Sequence, residues 1–205
     1  MTIKVLQIRE QAQRQYDIEL TPVSKDPEWN ELSPFHLGPC RTPDGTLFQN
    51  MENLWQFSKV YPEHLDRDRE INADWWAWHK QGAESETAYR YPMGRGRAAQ
   101  MQFSRWGSLR LSYVSARKLI YVPEYAKLVE AHPKFRKLRR DYRKGASILI
   151  RDYDAYDIDK AYEGTNQDPW VAALNNPRRK FGHGFVLAMC LMFWDKPRWY
   201  DQWVI

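Results

Sequence analysis

The 205 residues are long enough for one domain with a sizeable core. With 43% hydrophobic and 28% charged residues, the composition is that of a globular chain and excludes a disordered one. No run approaches the ~18 apolar residues of a membrane helix. Cys40 and Cys190 have no metal-like spacing, and the N-terminal MTIKVLQIREQAQRQ lacks the apolar stretch of a signal peptide, so a cytoplasmic protein with no membrane partner is expected.

In chain order, residues 2–7 read as a short strand, and residues 21–46, rich in Pro, Gly, Ser and Asp, as loop. NMENLWQFSKVY (50–61) predicts a helix with Asn50 as N-cap, Leu54, Phe57 and Tyr61 on its apolar face, and Pro62 as its stop. The Trp-rich stretch over 67–81 predicts a second helix, and further helices are expected near 109–120 and over 123–131. KFRKLRRDYRK (134–144) predicts a helix with an apolar stripe of Phe135, Leu138 and Tyr142, closed by Gly145. ASILIR (146–151) is the clearest strand, 152–169 reads as acidic loop, and HGFVLAMCLMFW (183–194) as a buried helix. The aromatic tail after it is expected to pack back. Together these elements predict a mainly helical α+β fold: a single domain with a small sheet.

Net charge is +5, yet 134–144 alone carries seven Lys or Arg against one Asp, so the rest of the chain is close to neutral. Lys134, Arg136, Lys137, Arg139, Arg140 and Arg143 therefore form a candidate nucleic-acid-binding face, against the plainer possibility of a solvated surface. Arg95 and Arg97, beside glycines that let backbone approach a ligand, are candidate substrate contacts. Ten Trp, twelve Tyr and eight Phe are more than a core of this size needs. Most are expected to pack, and some to line a groove where a nucleobase could stack.

Three segments carry a resemblance. LSPFHLGPC (32–40) with NMENLWQFSKVY is followed by GRGRA (94–98) leading to RWGSLRLSYVSARKLIYVPEYAKLV (105–129), and then by GASILIRDYD (145–154) with FGHGFVLAMCLM (181–192). In this order they resemble the NADAR superfamily of YbiA-like domains over roughly residues 30–192. The resemblance implies cleavage of an N-glycosidic bond, with ADP-ribose adducts, including ADP-ribosylated bases in DNA, and ribosylamine intermediates as substrates. It also implies site residues: Glu52, Gln56 and Lys59 on the family's Glu, Gln and Lys, Trp106 near its Trp, and Asp152 or Asp154 near its late acidic position. Ser33 and Phe35 fall in the S-x-F segment, and Trp55 lies within the helix motif. Asn53 stands where the family usually has His, which puts the activity in question.

The residues suit that chemistry. Breaking a C–N bond at an anomeric carbon passes through an oxocarbenium-like state, which needs a carboxylate near C1′ and a proton for the leaving base. Glu52 and Gln56 are four apart and share a helix face, with Lys59 three further on. His183, between two glycines before an apolar helix, is a candidate anion contact. The acidic stretch from Asp152 to Glu163 reads as strand end and loop, so neither metal nor cofactor is expected. The leading expectation is an N-glycosidase acting on an ADP-ribosylated nucleic acid or a nucleotide-like N-glycoside. The alternatives are a DNA-base-modifying enzyme on the same scaffold, or an inert nucleic-acid-binding or inhibitor protein.

Overall fold

The computed structural model describes residues 2–23 and 25–203. Its centre is a three-stranded parallel sheet, in which β1 (Ile3–Gln7) and β2 (Ile18–Leu20) flank β8 (Ile148–Asp152). Ile148, Leu149 and Ile150 are all fully buried, as befits a middle strand covered on both faces. A hairpin of β3 (Cys40–Arg41) and β4 (Leu47–Phe48) turns at the PDG of 43–45, with Gly45 at φ +89°. α1 (Met51–Phe57) follows directly. A second small sheet, antiparallel, joins β5 (Lys59–Val60), β6 (Phe103–Trp106) and β7 (Leu109–Leu111).

The helices enclose these sheets. α2 (Ala73–Glu84) packs on α1. α3 (Tyr113–Ala116) runs through a π-helical turn, Arg117–Tyr121, into α4 (Val122–Ala131). The wide turn has a local cause: Pro123 has no N–H for the carbonyl four residues back, and Val122 N–H bonds instead to the carbonyl of Arg117. α5 (Pro133–Arg143) lays Phe135, Leu138 and Tyr142 on the core, and Gly145 closes it at φ +104°. α6 (Ile158–Ala161), α7 (Pro169–Asn175) and α8 (His183–Met192) complete the chain. α8 is buried from His183 to Leu191 and packs against β1, β8 and α4. Among the described residues, no helix is long and apolar enough to cross a membrane.

The architecture is the expected mixed α+β fold, but four local expectations are corrected. The helix at 50 stops at Phe57 rather than Tyr61, because Ser58 closes it by donating its hydroxyl to Trp55 O (3.0 Å) and Lys59–Val60 pair with Phe103–Ser104 as a strand. The helix near 67–81 starts later, at Ala73, with Asn72 accepting from Trp75 N. Residues 103–111 form a hairpin, not the start of a helix; Gly107, at φ +59°, makes its turn. The acidic loop 152–169 contains α6, capped by Asp157, whose carboxylate also pairs with Lys4 at 2.5 Å. The tail does pack back, burying Trp199 and Tyr200.

The α1–α2 contact depends on a missing side chain. A Cβ at Gly82 would lie 2.1 Å from Cγ of the Phe57 ring. Gly82→Ala is expected to cost about 1–3 kcal/mol through overpacking, measured as a lower urea midpoint with an unchanged slope.

Candidate active site

One cleft, of about 990 Å³ including its open mouth, gathers most of the catalytic and substrate-contact candidates from the sequence. Glu52, Trp55 and Gln56 reach it from α1, Lys59 from the start of β5, and Ser33, Pro34 and Phe35 from the loop before α1. That loop is fastened to the helix: Glu52 N–H donates to Pro34 O (2.9 Å) and Met51 N–H to Leu37 O (2.8 Å), which satisfies two of the helix's unpaired N-terminal donors. Asp152 enters from the end of β8, and Gly182 and His183 from the start of α8.

Glu52, Gln56 and Lys59 form a buried chain of hydrogen bonds. Gln56 Nε2 donates to Glu52 Oε1 at 2.8 Å, and Lys59 Nζ donates to Gln56 Oε1 at 2.7 Å. The amide can face only one way, since the ammonium has only donors and the carboxylate prefers to accept. Lys59 Nζ also lies 4.8 Å from the Trp55 ring centroid. Burial raises the Glu52 carboxyl above the ordinary carboxylate range, partly offset by the Gln56 bond and by the charges of Lys59 and Arg90. Burial likewise lowers the Lys59 ammonium to about 8, against the attraction of Glu52.

Asp152 is held from the other side. Its Oδ2 accepts from Gly184 N–H (2.9 Å) and its Oδ1 from Asp154 N–H (3.1 Å). The two glycines around His183 are needed for that seat. A Cβ at Gly182 would come 2.2 Å from Asp152 Oδ2, and one at Gly184 would come 2.9 Å from Asp152 Cβ. His183 Nε2 lies 2.6 Å from Pro22 O, and a carbonyl partner requires the proton on that nitrogen; Nδ1 then faces Asp152 Oδ2 at 3.5 Å.

Several site residues carry no sequence pattern that would reveal them. Arg90 and Tyr91 follow α2 on a loop, and Asn53 holds that loop in position. The Asn53 side chain donates to the carbonyls of Gly82, Ser85 and Thr87 (2.9–3.2 Å) and accepts from Tyr89 N–H (2.9 Å). Asn53 does not line the cleft and acts on it only through this loop. Arg117, on the π turn, is 1% exposed and also lines the cleft. Its guanidinium donates to the carbonyls of Ala173, Leu174, Asn176 and Arg179 (2.8–3.1 Å), most of them at the C-terminus of α7, where the helix dipole favours a cation. Lys180 and Asp154 stand at the mouth, 2.9 Å apart. An arginine inside the apolar stretch 113–122 was the one sequence signal that could have been followed.

Other candidates lie elsewhere. Trp106 lines a separate shallow depression with Pro43 and Pro123. Arg97 pairs with Glu63 at 2.5 Å, and Arg95 is exposed, 5.9 Å from the Tyr91 ring. None of the basic residues of α5 reaches the cleft wall. Arg136, Lys137, Arg140 and Arg143 are exposed, and neither they nor Arg139 form an ion pair among the described residues. Lys134 is the exception, bonded to Glu31 at 3.0 Å. No protein-family model, curated protein or solved structure matches the chain.

The lowered Lys59 ammonium sets a pH signature. Unfolded, this lysine keeps its proton up to about 10.5; folded, it gives it up near 8. Unfolding between those values takes up a proton, so Lys59 makes stability rise with pH across that window. The stability of the parent relative to Lys59→Met, from urea titrations at successive pH values, is expected to increase from pH 8 to 10.5.

Proposed function

We propose that the chain is an N-glycosidase acting on an ADP-ribosylated nucleic acid or a nucleotide-like N-glycoside, as its resemblance to NADAR domains implies. The observation that carries this reading is the buried Glu52–Gln56–Lys59 chain opening into an aromatic-walled cleft that also receives Asp152. A carboxyl whose burial favours its protonated form is suited to give a proton to a departing base. As the C1′–N bond breaks, its electron pair stays on the base nitrogen, which takes the Glu52 proton. The charge left on the sugar is opposed by Asp152. Water then attacks C1′ and returns a proton to Glu52, leaving a free sugar hydroxyl. Lys59, Arg90, Arg117 and Lys180 on the cleft wall supply positive charge for phosphates, against the carboxylates of Glu52, Asp152 and Asp154.

The test is mass spectrometry of products after incubation with DNA carrying ADP-ribosylated guanine or thymine. Release of ADP-ribose by the parent and a loss of at least about 100-fold in Glu52→Gln is the expected result. The glutamine still offers an oxygen to Gln56, so the fold is kept. Bound DNA with no release would instead favour base modification or an inert binder.

The unpaired cations of α5 favour a polymer over a free nucleotide. Lys134 ties the first turn of this helix to Glu31, two residues before Ser33 on the cleft wall. Changing Arg136, Arg139, Arg140 and Arg143 to Gln is expected to make the plot of log affinity against log salt shallower by roughly 3 for a DNA probe. An unchanged slope would remove α5 from the binding face.

A further inference from the structure

Among the described residues, only five large apolar or aromatic side chains remain exposed, and two of them, Tyr91 (40%) and Tyr153 (54%), line the cleft mouth. They come from distant parts of the chain, one after α2 and one after β8. A single ion pair brings them together: Arg90 Nη2 to Asp154 Oδ2, at 3.1 Å. Each tyrosine is the chain neighbour of one partner in that pair. The Arg90 guanidinium carbon lies 5.4 Å from the Tyr91 ring centroid and 5.7 Å from that of Tyr153, so both rings border the same cation. The supports beneath are rigid: Asn53 grips the backbone up to Tyr89, and Asp154 is bonded to Asp152 and to Lys180. Aromatic rings left in water on a braced frame, around a guanidinium, offer flat faces and a charge to a planar ring of high electron density.

We infer that Tyr91 and Tyr153, with Arg90 between them, form a clamp at the cleft mouth that stacks an unpaired nucleobase. The inference rests on the nucleotide reading of the cleft. It adds a second base-binding position, outside the reacting centre, that the motifs in the sequence do not indicate. The same flat ring has two sources, the base of a free nucleotide or a neighbouring base on a single strand, and the choice of probe separates them.

The experiment is fluorescence anisotropy of the full chain with a fluorescein-labelled oligothymidylate, competed by adenosine monophosphate, at two salt concentrations. Tyr91→Leu and Tyr153→Leu are each expected to weaken binding about 10-fold, an effect of one lost stacking partner. Tyr91→Phe and Tyr153→Phe should stay within about 2-fold, since the ring and not the hydroxyl stacks. The salt slope is expected to be unchanged, because no phosphate contact is removed. Loss confined to the oligonucleotide makes the base a strand neighbour; equal loss for the monophosphate makes it the nucleotide's own. Leucine variants that bind like the parent, or a parent that binds neither probe, would overturn the clamp. The measurement needs no turnover and can be repeated in Glu52→Gln, so failed glycosidase chemistry and a failed clamp give different results.

Discussion

The site depends on burying a carboxylate and an ammonium at the two ends of one amide. Direct contact between Glu52 and Lys59 would make an ordinary ion pair and settle both charges. With Gln56 between them, each has one firm hydrogen bond and an incompletely balanced charge in a dry setting. That is why the two groups shift in opposite senses, each toward its neutral form. The arrangement is costly to the fold, and the structure bears the cost by fixing every element around it. The loop 33–37 is tied to the first turn of α1, the helix is stopped at Ser58 so that Lys59 starts a strand, and Trp55 covers the ammonium.

The opposite wall is fixed by absence of side chains. Gly182 and Gly184 leave room for the Asp152 carboxylate against the first turn of α8, where a backbone N–H meets it. The same α8, buried from His183 to Leu191, covers β8, the strand that delivers Asp152. Packing of the core and placement of the carboxylate are thus one constraint. The third wall, the loop after α2, is held by Asn53 through Ser85, Thr87 and Tyr89, by Asn50 through Glu86 O, and by the Arg90–Asp154 ion pair.

The frame was largely legible in the sequence, and the reasons are physical. Periodic burial gave α5, and continuous apolar runs gave β8 and α8, because their neighbours impose the pattern that hydropathy reads. Glu52, Gln56 and Lys59, chosen by motif resemblance and compatible in spacing, meet in one hydrogen-bonded chain, although the last member is on a strand. What stayed hidden is what depends on long-range contacts. The hairpin 103–111 owes its form to pairing with Lys59–Val60, and a four-residue strand with two arginines nearby has no strong local preference. Arg90, Arg117 and Lys180 reach the cleft from three unrelated segments, and no spacing along the chain links them. Trp106 shows the converse, a residue chosen by motif order that the fold turns toward a different depression.

The central sheet has a consequence for how the chain comes to be. Ile3 pairs with Ile148 and Gln7 with Asp152, so the first strand must wait for a partner made more than two-thirds of the way along the chain. During synthesis from the N-terminus, α1 and α2 can pack locally, but β1 and β2 leave the ribosome as unpaired parallel edges. α8, which shields the sheet, follows later still. Asp152 is the last paired residue of β8 and takes its final place only with Gly184 beside it. A nascent chain therefore carries the Glu52 half of the cleft well before the Asp152 half, and acquires the complete site at nearly the same moment as its core.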